Sequence, residues 1–196
     1  MFRWGAMAYG GLAIAVCVGS LIWRGEIPLH FTSPWMTLSP LAAHAYSCLL
    51  GAAVGISTVF LSRVAVGRFT WGRRLHNELR PIARQLSSVD IVVLAALSAV
   101  GEELLFRGIL QPVLGLFGQA LVFGLLHQMT GPSRWVWVTW AGVVGFVFGV
   151  LFQLTGSLLG PILAHALING LNLGFLKHHN LEPSRQDIGG LLDRRV

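Results

Sequence analysis

The chain has 196 residues, 54% of them hydrophobic and only 11% charged, with a mean hydropathy of +0.68 and a formal net charge of +6. An ordinary soluble domain carries about a quarter of its residues as Asp, Glu, Lys and Arg, so a soluble fold is excluded and a polytopic membrane protein is indicated. The two cysteines, Cys17 and Cys48, lie in apolar runs and read as small buried hydrophobes rather than as a disulfide or a metal site.

The first apolar run lies between Arg3 and Arg24, with Trp4 and Trp23 as interfacial anchors. It leaves the membrane through LIWRG rather than through a small-residue cleavage site, so it is expected to be a retained span and not a signal peptide. The second run extends from Leu41, after Pro40, to Ser62, before Arg63. The third begins near Val89, with Ser87, Ser88 and Asp90 as capping candidates. Pro112 with Gly115 and Gly118 predicts a turn or kink, followed by a short fourth helix ending near Met129. The fifth span is Trp135 to Leu154, and a break at Thr155 and Gly156 leads into the sixth, Ser157 to Leu176. GxxxG spacings at Gly51/Gly55, Gly145/Gly149, Gly156/Gly160 and Gly170/Gly174 suit close helix packing in a bilayer.

Six crossings with both ends inside place twelve Lys and Arg residues on the inner side and only Arg24 outside. Such a positive-inside bias explains the net charge without a nucleic-acid partner. Between the second and third spans, residues 63–88 form a basic linker. Its Leu75, Leu79, Ile82 and Leu86 fall on one helical stripe, as in a helix lying on anionic headgroups, with a possible kink at Pro81. A plain basic connector reads the same residues equally well. The tail after Lys177 is polar and expected to be loosely ordered.

The third span carries the stretch AVGEELLFRGIL, with Glu102, Glu103 and Arg107 in apolar surroundings. Three central charges cost on the order of 8–10 kcal/mol on an insertion scale, against roughly 5 kcal/mol recovered by the apolar residues. Pairing, protonation or a wet cavity must offset the difference. Glu103 and Arg107 stand at i,i+4 and can pair. Glu102 is left over, either as a functional group or as a protonated acid hydrogen-bonded to another helix. Other polar groups in the spans are His127 one turn after Phe123, and His165, Asn169 and Asn172 on one stripe of the last span. His44 reads as a structural histidine, and His30, His76, His178 and His179 as solvated. Asn172 is expected to bond between helices.

A buried carboxylate can take a proton from water, a histidine beside it can hold that water, and a second histidine with an asparagine can donate to an oxyanion. That is the equipment of a water-using protease. No GxSxG elbow or HExxH motif is present.

EELLFR, FGLLH and HALIN match the EExxxR, FxxxH and HxxxN motifs in that order on successive helices. From Val89 to Leu173 the chain resembles the CPBP (Abi) family, which includes CAAX prenyl endopeptidases and bacteriocin-processing and self-immunity proteins. The resemblance implies an intramembrane glutamate protease, all-α, with about six transmembrane helices around a buried polar cavity. It would be one domain: two N-terminal spans in 1–62, the linker 63–88, a catalytic core in 89–176 and a tail in 177–196. Glu102 would activate water and His127 would hold it. His165 and Asn169 would form the oxyanion site, with Glu103 and Arg107 in support. The family mechanism implies no cofactor, although two His and a Glu are also a zinc ligand set. The substrate would be a membrane-associated protein or peptide at a bacterial inner membrane, processed at a CAAX-like end or a C-terminal sorting tag. A non-catalytic immunity protein binding a partner in the same cavity is the alternative. A proton-relaying transporter is disfavoured because the two halves show no internal repeat.

Overall fold

Seven helices follow one another in the computed structural model, which describes residues 2–181. They are α1 (Phe2–Arg24), α2 (Pro40–Arg68), α3 (Thr70–Arg84), α4 (Ser88–Glu103), α5 (Gln111–Leu126), α6 (Arg134–Thr155) and α7 (Leu159–His178). A π-helical stretch, Leu104–Leu110, joins α4 to α5. No strand occurs among the described residues, and the fold is all-α and polytopic as expected. Most of the tail, including Arg185, Arg194 and Arg195, lies outside the described residues.

The helix boundaries follow local chemistry. Ser39 caps α2 by accepting from Ala42 N, with Pro40 at a first-turn position that needs no N–H donor. α2 runs past the expected end at Ser62 because Arg63 does not leave the helix. Its guanidinium donates to Leu171 O at 2.8 Å and stacks 3.8 Å over the Phe175 ring. Ser87 and Asp90 form a reciprocal capping box at the start of α4. α6 stops at Gly156, which takes the left-handed conformation at φ 74°.

Among the described residues, five helical runs are long and apolar enough to span a bilayer, one fewer than the six expected. The third run and the short fourth helix form one run, Ser88–Leu126, of 39 residues. Straight, it would be about 58 Å long, nearly twice the hydrocarbon thickness. It is not straight. At Gly115, φ 71° and ψ 177° break the helix, and the chain folds back so that Phe106 and Phe123 meet edge to face at 4.8 Å. The expected turn or kink is therefore a hairpin turn. Its return limb, eleven residues from Leu116 to Leu126, is about 16 Å long and too short to span alone. The segment 127–133 completes the return to α3, where Glu78 accepts from Ser133 N at 3.2 Å and from Ser133 Oγ at 2.9 Å.

α1 runs parallel to α4, with Gly5 against Leu94, Gly101 against Tyr9 and Val16 against Leu104. α2 runs parallel to α7, with Gly51 packed on Gly160 and Gly55 on Ala164 and Leu167. Three of the four GxxxG pairs thus include a close approach; at Gly170 and Gly174 the neighbours stand off. These directions bring Phe2, Arg68, Ser88, Arg134 and His178 to the side of the bundle where α3 lies. At the opposite end the α1–α2 loop is pinned across the bundle, Phe31 N donating to Gly156 O at 3.0 Å and Arg24 Nη1 to Gly108 O at 3.2 Å.

His76 departs from the solvated state expected of it and is buried. Its ring packs edge to face on Phe175 at 5.3 Å, and Nε2 lies 3.0 Å from His179 O. Amphipathic α3 turns this residue inward, so the solvent-facing character of the linker does not extend to it. The other histidine expectations hold: His178 and His179 are exposed, and His44 bonds Ser157 Oγ at 2.8 Å. Asn172 joins α7 to Ser62 of α2 at 3.5 Å. Cys17 and Cys48 are free thiols.

Candidate active site

Glu103 and Arg107 are each 0% exposed, and their offset costs are met in full view of the neighbouring helices. Arg107 Nη1 donates to Glu103 Oε1 at 2.9 Å and Nη2 donates to Gly145 O at 2.8 Å. The guanidinium carbon lies 4.5 Å from the Phe123 ring centroid and 5.3 Å from that of Phe148. Charge, carbonyl and π-faces replace part of the lost hydration, while Arg107 Nε and Glu103 Oε2 are buried without a hydrogen-bond partner. Gly145 is what admits the group: a Cβ there would lie 2.8 Å from Phe123 Cδ1 and 3.3 Å from Arg107 Nη2. The π-helical stretch begins directly after Glu103, and Gln111 N donates to Phe106 O, five residues back. Such wide turns occur mostly at functional sites.

Glu103 has a second partner that the one-dimensional spacing did not predict. His165 Nδ1 lies 2.7 Å from Glu103 Oε1. No charged residue neighbours His165 on its own helix; α7 packs on α4 and brings the Glu103 carboxylate to it. The contact orients the ring so that Nε2 faces Glu102 Oε2 at 4.0 Å.

Glu102 is the carboxylate left over, as expected. It is 8% exposed, and its Oε2 is buried with no hydrogen-bond partner. His127 Nε2 faces it at 3.6 Å. His127 Nδ1 lies 2.8 Å from Phe123 O, which can only accept, so Nδ1 carries a proton, and in the neutral ring Nε2 offers a lone pair. A carboxylate oxygen and an imidazole lone pair thus confront one another. A water donating one O–H to each satisfies both.

Asn169 Nδ2 donates to Ser98 Oγ at 3.0 Å, and Ser98 Oγ donates to Ala95 O at 3.3 Å. Ser98 stands one turn before Glu102, so helical spacing alone could have flagged it. Tyr9 of α1 lines the same cavity as Glu102. Its signal was a lone phenol within an apolar run.

The six predicted residues therefore divide into a buried Glu103–Arg107–His165 network and a facing group of Glu102, His127 and Asn169. A cavity of about 310 Å³ joins the facing group to α3. Its far wall is Trp71, Leu75, Leu79 and Ile82, so much of the α3 apolar stripe faces inward. Among the described residues, no group of three or more His, Cys, Asp or Glu is arranged to hold a metal ion.

Fold and site together define a polytopic helical membrane protein with a buried carboxylate, histidine and carboxamide centre. Residues 84–171 match the model of the type II CAAX prenyl endopeptidase Rce1-like proteins, and the resemblance to that family rests on this segment. It contains all six predicted site residues; α1 and Tyr9 lie outside it. The uncharacterized protein YpbD of Bacillus subtilis (strain 168) is 31% identical over 108 residues, a stretch covering 55% of this chain and 57% of that protein. No solved structure matches the chain.

Proposed function

We propose that the protein is an intramembrane endopeptidase hydrolysing a peptide bond of a membrane-associated protein or peptide. The observation that carries this reading is the unpartnered Oε2 of Glu102 facing Nε2 of His127 at 3.6 Å. A water held between them donates to both, with its lone pair free for a substrate carbonyl. As water attacks, its proton passes to Glu102, and the carbonyl oxygen takes the negative charge. His165, held through Nδ1–H on Glu103, donates from Nε2 as the imidazolium, and Asn169 donates from Nδ2. Glu102 then returns its proton to the departing amine.

The Rce1-like match supports peptidase chemistry and a CAAX-like substrate end, with a C-terminal sorting tag as the alternative. The basic helix ends gathered on the α3 side support a bacterial inner-membrane orientation with both termini cytoplasmic, and α3 resting on anionic headgroups. The cavity then opens toward the cytoplasm.

The test compares terminal peptides of the membrane proteome with wild type, Glu102→Gln and Glu103→Gln. New termini that appear with wild type and vanish with Glu102→Gln support the reading and name the substrate. If no terminus depends on the folded, expressed protein, a non-catalytic partner-binding role replaces it. Cleavage that is lost on chelation and restored by zinc would instead favour Glu102, His127 and His165 as metal ligands.

A further inference from the structure

Glu102 and Glu103 are sequence neighbours with opposite surroundings. Glu103 receives a guanidinium and an imidazole N–H on one oxygen. Glu102 faces two imidazole Nε2 atoms at 3.6 and 4.0 Å, and neutral His127 offers only a lone pair there. A carboxylate that must activate water needs a fixed rotamer, and the one donor the motif helices aim at it, His165 Nε2, stands 4.0 Å away, beyond hydrogen-bond distance.

α1 does. The helix packs directly on the backbone at Gly101, where a Cβ would lie 2.9 Å from Tyr9 O. This close approach sets Tyr9 at the level of Glu102, and its side chain enters the cavity wall beside Glu102, His127 and His165. A phenol is a neutral O–H donor. It can hold a carboxylate in place without adding charge to a site that already contains two acids and an arginine.

We infer that Tyr9 is a positioning residue for the water-activating carboxylate, donating its phenol O–H to Glu102 and so turning Oε2 toward His127 and His165. The inference rests on the protease reading for its catalytic meaning, but the contact itself can be measured without a substrate. The working site then extends beyond the Rce1-like segment into the first span. α1 is part of the catalytic machinery and not only an anchor.

The chain has two tyrosines, Tyr9 and Tyr46, so full-length protein labelled with carbon-13 at the tyrosine Cζ gives two resonances in lipid nanodiscs. Tyr9→Phe and Tyr46→Phe assign them. Glu102→Gln is expected to move the Tyr9 resonance and leave that of Tyr46 in place. An unmoved Tyr9 resonance overturns the inference. In the cleavage assay, Tyr9→Phe is expected to lower kcat about tenfold with KM unchanged, as for loss of one hydrogen bond to a charged group. Tyr46→Phe should match wild type. An unchanged kcat in Tyr9→Phe overturns the positioning role even if the resonance moves. Cleavage that survives Glu102→Gln defeats the protease reading alone, because the resonance test still decides the contact.

Discussion

Breaking the Glu103–Arg107 pair from either side should damage the protein more than removing the pair altogether. Both side chains are fully buried and 2.9 Å apart. Deleting one partner of such a pair strands the other charge, at a cost of about 3–5 kcal/mol. Glu103→Gln should fall near the lower end, because the amide oxygen still accepts from Arg107 and His165. Arg107→Met should fall near the upper end, since Glu103 keeps only His165. In the double variant neither charge remains, and Gly145 O keeps Gln119 Nε2 as a donor at 3.2 Å. The loss there should be about 1–3 kcal/mol, the worth of hydrogen bonds to charged groups. The double variant is thus expected to be at least as stable as either single, with a coupling of roughly 3 kcal/mol or more, since each single loss counts the same stranded-charge penalty. Equilibrium unfolding in mixed detergent micelles measures all four members of the cycle. Additivity within about 0.5 kcal/mol would mean the pair is not a coupled unit, and the offsetting of charge described here would be wrong.

Gly145→Ala should destabilise by roughly 1–3 kcal/mol, because its methyl would press on Phe123 and Arg107. Gly174→Ala, with nothing within 4 Å of its Cβ, is the control and should be neutral or slightly stabilising in the same unfolding assay. Acidification should loosen α3. Burial pushes the His76 imidazole below its ordinary range, helped by nearby His179, Arg80 and Arg63 and opposed by the bond to the His179 carbonyl. The neutral ring's contribution is complete above the unfolded pKa of about 6.5 and is lost as pH falls through the lower folded value. Amides of α3 should exchange faster at about pH 5.5 than at about pH 7.5 after correction for intrinsic rates, and His76→Phe should flatten the difference.

By itself the sequence determined that the chain is a helical membrane protein, because only continuous apolar runs closed by tryptophan, arginine and caps fit a bilayer. It also determined the Glu103–Arg107 pair, a local consequence of helical spacing, and it singled out the six candidate site residues, since polar groups in such runs are few and costly. Tertiary structure alone decided the rest. The turn or kink expected around Gly115 is a full reversal at positive φ, so the short fourth helix packs back as a limb too short to cross and is not a span of its own. His165 finds Glu103 and Asn169 finds Ser98 only when α7 packs against α4, and Tyr9 enters the cavity wall only when α1 does. The two α7 contacts join positions 62 and 71 residues apart, and no local periodicity encodes so distant a meeting. The same packing turns the stripe of α3 toward the cavity and buries His76. An amphipathic pattern marks which face of a helix is apolar, but the neighbouring helices decide what that face covers.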